Sequence, residues 1–321
     1  MSTESPNKKS KTVHSLLSGK KIVSVEESLQ VFGEPGVVFV DGSWFLKDRN
    51  GREEFEAGPR IPGARYFDID DVASKGDLNP KGLPHMMPPK DLFAASMDAL
   101  DITNSDHLIL YATKGCMFIH RALYQIQAMG HERDRVHLMN GSLEEWEKQG
   151  GKLDKEPAKV INADGLDLSK PTKYTATDPQ NVVDIEEVKG IVNKGKDTDS
   201  IIVDVRSSER FLGSVEEPRP GLRLGHMPGA KNLFFFSLLD PDNVAQLKPK
   251  QELQKLVADA GIDIETDKRI VISCGSGATA CALAAALDVC GRDPSKTAIY
   301  DGSWSEWGSE EDTPITKDPD T

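Results

Sequence analysis

Ile270-Val271-Ile272-Ser273-Cys274-Gly275-Ser276-Gly277-Ala278-Thr279-Ala280-Cys281-Ala282-Leu283-Ala284-Ala285-Ala286-Leu287 is the stretch that decides the fold. An apolar β-branched run too short for a helix gives way at Cys274 to a turn of small residues. The turn gives way to an alanine- and leucine-rich segment of high helix propensity. The pattern predicts strand, loop and helix with a cysteine at the hinge. A sulfur placed where a helix begins feels unpaired backbone N–H groups and the positive end of the helix dipole, which suit a nucleophile and hold anions nearby. Gly275 and Gly277 let the backbone curl so that several amides face the sulfur. The competing reading is a buried cysteine that only fills space at a strand end.

Working outward, the chain repeats itself over a long period. Val37-Val38-Phe39-Val40-Asp41 matches Ile201-Ile202-Val203-Asp204, and Ile61-Pro62-Gly63-Ala64 matches Met227-Pro228-Gly229-Ala230. Leu108-Ile109-Leu110-Tyr111 matches Ile270-Val271-Ile272-Ser273, and Asn140 to Trp146 matches Asp301 to Trp307. These are two copies of one domain. In each copy short β-branched strands alternate with helical stretches, among them Asp91 to Leu100, Ile119 to Met129, Gln251 to Ala260 and Thr279 to Val289. That alternation predicts a parallel sheet covered by helices, with the cysteine loop at the carboxyl end of a strand. Aligning Tyr111 with Ser273 puts Ala112 where Cys274 stands, so the first copy lacks the nucleophile. Cys116 follows closely in the first copy and is a candidate second thiol, without a helix terminus evident beneath it.

A length of 321 residues with 38% hydrophobic composition suits two ordinary cores. The net charge of -13 argues against a nucleic-acid backbone as partner. No apolar run reaches membrane-spanning length. Four cysteines without clustered spacing make neither a disulfide framework nor a zinc site. A reducing compartment fits, so the expected location is cytoplasmic, with a mitochondrial alternative that the absence of arginine from residues 1–21 disfavours. The expected organisation is a flexible basic arm over 1–21, a first domain over 22–150 and a linker over 151–181. A second domain over 182–308 and a polar tail over 309–321 complete it. Cys281 and Cys290, on opposite helix faces, and Trp304 and Trp307 read as packing residues.

Cys274-Gly275-Ser276-Gly277-Ala278-Thr279-Ala280 resembles the active-site loop of the tandem rhodanese-domain sulfurtransferases, and within them the 3-mercaptopyruvate group rather than the thiosulfate group. Asp301-Gly302-Ser303-Trp304-Ser305-Glu306-Trp307, Gly225-His226-Met227-Pro228-Gly229-Ala230, and Arg210-Phe211-Leu212-Gly213 followed by Glu216-Glu217-Pro218-Arg219 resemble the same family, in its order. The resemblance implies a rhodanese-like α/β fold in each half, the second being catalytic. This chain departs from the family at Ala112, often an aspartate, and in lacking a serine shortly before Arg121.

The resemblance further implies a reaction in which Cys274 attacks a donor's sulfur and carries it as a persulfide. Amides of the loop Gly275, Ser276, Gly277, Ala278 and Thr279 would hold the charged sulfur. No metal or cofactor is called for. Thiosulfate enzymes place an arginine and a lysine where Gly275 and Ser276 stand here, so the loop lacks charge for a dianion. Arg210 and Arg219 match the two arginines that the mercaptopyruvate group uses for a carboxylate. Without the motif they would read as surface arginines answering Glu209, Glu216 and Glu217. A serine, histidine and aspartate relay proposed for the family maps onto Ser276, His85 in Pro84-His85-Met86-Met87-Pro88, and Asp70 in Phe67-Asp68-Ile69-Asp70. That mapping draws His85 from the first domain and Ser276 from the second, and puts the site between them. For His85 a loop histidine held by backbone bonds is the equal alternative, and an insertion around Lys75 to Lys81 bears on Asp70.

Three other activities compete. A thiosulfate sulfurtransferase would use the same cysteine. A phosphatase of this fold needs an arginine six positions after the cysteine, where Ala280 stands. A persulfide carrier fed by a desulfurase would need Cys274 but not Arg210, Arg219 or Ser276. The expected partners are 3-mercaptopyruvate and a thiol acceptor such as thioredoxin or glutathione, or cyanide, with no nucleic acid and no membrane.

Overall fold

The computed structural model describes residues 13–46 and 48–317. They divide into two compact units. The first holds the described residues up to Val72 with Pro88–Gln180 and Pro241–Gln246; the second holds Ala73–Met87, Asn181–Asp240 and the described residues from Leu247 on.

In the first unit the strands β1 (Ile22–Ser24), β2 (Val37–Asp41), β3 (Arg65–Tyr66), β4 (His107–Ala112) and β5 (Val136–Ser142) form one sheet in the order β1-β5-β4-β2-β3. Every pairing is parallel. The central strand β4 is buried at all its positions, as an unbroken apolar run covered on both faces requires. Local chemistry sets the helix starts. Ser24 Oγ accepts the Glu27 N–H at 3.1 Å while the Glu27 carboxylate accepts the Ser24 N–H at 2.7 Å, a reciprocal cap that opens Val25–Val31.

The second unit repeats this path. Its strands β6 (Val182–Val183), β7 (Ser200–Asp204), β8 (Lys231–Asn232), β9 (Arg269–Ser273) and β10 (Thr297–Tyr300) lie in the order β6-β10-β9-β7-β8, again all parallel. Asp41 pairs with Tyr111 in the first sheet as Asp204 pairs with Ser273 in the second. The register therefore equates Tyr111 with Ser273 and Ala112 with Cys274, as the repeat predicts. Between β9 and β10 runs the helix Ala280–Cys290, buried on almost every side and ended by Gly291 at φ +104°. Its alanines let its backbone approach the sheet, and Cys281 and Cys290 are buried within it.

Trp304 and Trp307 are fully buried beside Val271, Ala298 and Tyr300, and their indole N–H groups donate to Arg223 O and Pro314 O, each at 3.0 Å. Truncating a packed tryptophan typically costs about 3–5 kcal/mol, so this pair anchors whatever precedes and follows it.

Three expectations change at the edges. Residues 1–12 of the expected arm lie outside the described residues, but 13–17 are helical, with Val13 and Leu17 buried in the first unit's core. These two apolar residues, four apart on one helix face, were masked by the lysines around them. Residues 151–180 run along the first unit: Arg60 and Asp154 form a bridge, Thr177 N–H donates to Met129 O at 3.0 Å, and Tyr174 is buried against Phe93 and His131. The tail is tied down as far as it is described, since Thr316 pairs with His226 and Thr313 Oγ1 donates to Trp307 O at 2.6 Å.

Candidate active site

Cys274 lies at the carboxyl end of β9 and is 1% exposed. Strand β9 ends there because the chain must turn, and Gly277 supplies the turn with φ +79°. The Ser276 N–H points back at Cys274 Sγ, 3.5 Å away. Three groups from the Asp301–Trp307 segment brace the loop from behind. Ser303 Oγ accepts the Cys274 N–H at 3.1 Å, Trp304 N–H donates to Cys274 O at 3.0 Å, and both the N–H and the hydroxyl of Ser305 donate to Gly275 O, at 2.9 and 2.6 Å. With its outward carbonyls held this way, the loop can turn amides toward the sulfur. Ser303 takes φ +50° to do so, a left-handed conformation that costs a non-glycine residue about 1–3 kcal/mol.

Arg210 and Arg219 come to the same loop. A Cβ on Gly275 would lie 3.1 Å from Arg210 Nη2 and 3.7 Å from Arg219 Nη1, so both guanidinium groups cover that glycine. Arg210 is fixed there by Glu217, whose carboxylate accepts Nε at 3.1 Å and Nη2 at 2.5 Å. Glu217 also accepts Arg206 Nη1 at 2.8 Å, and Arg206 in turn pairs with Asp204 and lies 4.0 Å over the Trp304 ring. Arg219 is half-buried and donates to no protein group among the described residues. The surface-pair alternative is thus half right, since Arg210 does answer a glutamate, but a buried one.

His85 falls in the second unit, in the segment Ala73–Met87, rather than with the first-domain sheet as expected from the sequence. It is buried and sits at φ +59°. The segment is held by the Met87 N–H donating to Asp301 Oδ2 at 2.7 Å and by Lys81 Nζ on Glu306 and Glu310, at 2.8 and 2.6 Å. These are the residues around the loop brace, so the expected insertion near Lys75 to Lys81 has a structural use. Asp70 belongs to the first unit, where Trp44 Nε1 donates to it at 2.8 Å beside a cavity of about 490 Å³ lined also by Tyr66, Asp68 and Arg49. Ser276 is buried in the second unit.

Cys116 is fully buried with its sulfur 3.5 Å from Trp44 O, and burial pushes its thiol up to about 11. It is not a second reactive thiol at neutral pH. Among the described residues no group of three or more side chains is suited to a metal, and no helix is long and apolar enough to cross a membrane.

Sequence reasoning missed Arg206, Ser303 and Ser305, and took Glu217 for a surface carboxylate where the fold buries it. Ser303 and Ser305 sit within a motif quoted for other reasons and Arg206 lies in no quoted motif, and hydrogen bonding that depends on folding leaves no periodicity to read.

The rhodanese-like domain matches residues 24–149 and 184–310. The chain is 34% identical over 316 residues to thiosulfate/3-mercaptopyruvate sulfurtransferase 1, mitochondrial, of Arabidopsis thaliana, covering 94% of this chain and 79% of that protein. It is 36% identical over 278 residues to a probable 3-mercaptopyruvate sulfurtransferase of Schizosaccharomyces pombe, covering 84% of this chain and 86% of that one. It is similar in structure to SseA from Escherichia coli, described as a 3-mercaptopyruvate sulfotransferase of rhodanese fold, with a TM-score of 0.71 and 28% identity over 89% of this chain and all of that one.

Proposed function

Because the chain belongs to the tandem rhodanese-domain sulfurtransferases, we propose that it moves sulfur from 3-mercaptopyruvate through a Cys274 persulfide to a thiol acceptor, releasing pyruvate. The observation that carries this reading is the pair of guanidinium groups of Arg210 and Arg219 over Gly275, one residue from the cysteine. A planar fork suits a carboxylate, and two of them over the residue next to the cysteine suit a small donor whose carboxylate and thiol are a few bonds apart.

In the first half-reaction Cys274 sulfur attacks the donor's sulfur and the bond from that sulfur to carbon breaks. The electron pair leaves with carbon as pyruvate enolate, which takes a proton, while the donor thiol gives one up; the net product is pyruvate and an anionic persulfide. The Ser276 N–H already directed at the sulfur supports the anion. Ser276, His85 and Asp70 are the groups we assign to proton handling. In the second half-reaction a thiol of thioredoxin or glutathione, or cyanide, attacks the outer sulfur and frees Cys274.

The test is turnover of the purified protein with 3-mercaptopyruvate or thiosulfate, and cyanide as acceptor. Pyruvate release matched to sulfur transfer, and one added sulfur on Cys274 by mass spectrometry, are expected. Turnover of thiosulfate with none of mercaptopyruvate overturns the reading.

A further inference from the structure

The groups around the loop form one charged cluster. Asp204 and Glu217 are its carboxylates, and Arg206, Arg210 and Arg219 its guanidinium groups. Arg206 bridges both carboxylates, 2.6 Å from Asp204 and 2.8 Å from Glu217, and is fully buried. Glu217 has a side chain only 2% exposed, yet meets Arg210 through both of its oxygens. Three cations against two anions leave one net positive charge, and Arg219 is the cation that no carboxylate answers among the described residues.

We propose that Glu217 is the positioning residue that sets donor charge in this site: it aims Arg210 at the loop and cancels its charge, so that the cluster matches a monoanion rather than a dianion. The inference rests on the sulfur-transfer reading above and deepens it. A monocarboxylate donor brings one charge and leaves the cluster neutral. A dianion such as thiosulfate would leave an excess negative charge where the persulfide's own charge develops, and beside carboxylates as buried as Glu217 that excess is costly. Selectivity then comes from a buried carboxylate that faces the arginine from behind, as well as from the uncharged Gly275 and Ser276.

Two variants and one measurement on the wild-type protein test this. Glu217→Gln keeps the shape but removes the charge, raising the cluster to two net positives and loosening Arg210. Its kcat/KM for thiosulfate relative to 3-mercaptopyruvate is expected to rise about tenfold or more, chiefly through a higher KM for mercaptopyruvate. Glu217→Asp retains the charge and should keep the wild-type ratio even if both activities fall. Equal losses for both donors in Glu217→Gln would mean a merely structural role and overturn the proposal. Should Glu217→Gln fail to fold, inhibition of the wild-type enzyme decides: pyruvate is expected to compete more tightly than sulfate, and sulfate binding as tightly or more tightly overturns it. Wild-type protein inactive on mercaptopyruvate but active on thiosulfate would sink the underlying reading. A wild type that prefers mercaptopyruvate, with an unmoved ratio in Glu217→Gln, would sink this inference alone.

Discussion

Ser303 Oγ accepts the backbone N–H of Cys274 at 3.1 Å, and its own hydroxyl donates onward to Tyr300 O at 2.8 Å. Cys274, the proposed sulfur carrier, is thus held by a serine in a strained, left-handed conformation. Ser303→Ala would leave the buried Cys274 amide without its acceptor, at a cost of about 1–3 kcal/mol. A lower denaturation midpoint together with a lower kcat is expected. A variant with wild-type kcat would show that the brace serves stability alone.

Cys274→Ser should abolish transfer and leave the fold intact, because a hydroxyl cannot carry the persulfide. Alkylation at neutral pH should label Cys274 and spare Cys116, which burial holds at about 11. Tryptic mass spectrometry with iodoacetamide reads both, and added sulfur found on Cys116 would reverse the assignment of the catalytic half.

Arg210 and Arg219 should differ when removed. Each replacement by alanine is expected to weaken transition-state binding of the carboxylate donor by about 1.5–3 kcal/mol, seen mainly in KM. Arg210→Ala also strips Glu217 of a bidentate partner and should lower thermal stability. Arg219, which no carboxylate answers among the described residues, should be lost without that penalty. Kinetics and melting curves for the two variants separate these effects.

Burial pushes His120 down to about 4, and burial with the neighbouring His137 does the same to His107. Neither His120 nitrogen has a hydrogen-bond partner among the described residues. Folded values below that of the unfolded chain mean that the unfolded state binds protons first as the pH falls. The stability these histidines contribute is present above the unfolded value near 6.5 and is lost on descent toward about 4. His120→Leu should therefore stabilise the protein and flatten its acid limb. Urea midpoints at pH 7.5 and 5.0 check this, and an undiminished difference between them would be evidence against it.

The fold was legible because its evidence is local and repeated: a β-branched run before a glycine turn, and the same order of patterns twice. The helix limits fell within one residue of Asp91–Leu100, Ile119–Met129, Gln251–Ala260 and Thr279–Val289, the observed spans being Lys90–Ala99, Ile119–Ala128, Lys250–Asp259 and Ala280–Cys290. Cys274, Arg210 and Arg219 were legible from the motifs that carry them. The clamp on Arg210 was not, because Glu217 is one acidic residue among several until folding buries it. Val13 and Leu17 were lost among lysines for the opposite reason, being apolar residues in a segment whose composition reads as solvated.

Gly275 gives the last prediction. Loop charge alone suggests that Gly275→Arg with Ser276→Lys would favour thiosulfate, but Gly275 lies directly under Arg210. Even a methyl there would stand 3.1 Å from Arg210 Nη2, tighter than an ordinary contact. Glu217 grips that guanidinium at two points, so it cannot retreat without breaking a buried ion pair. Gly275→Ala should therefore raise KM for 3-mercaptopyruvate several-fold, with a smaller change in kcat, since Cys274 and its brace on Ser303 are untouched. In Glu217→Asp, whose shorter side chain draws Arg210 back, the same Gly275→Ala change should cost less. A double-mutant cycle measures that coupling as a difference in kcat/KM, and strict additivity of about 0.3–0.5 kcal/mol or better would mean that Gly275 and Glu217 do not communicate through Arg210.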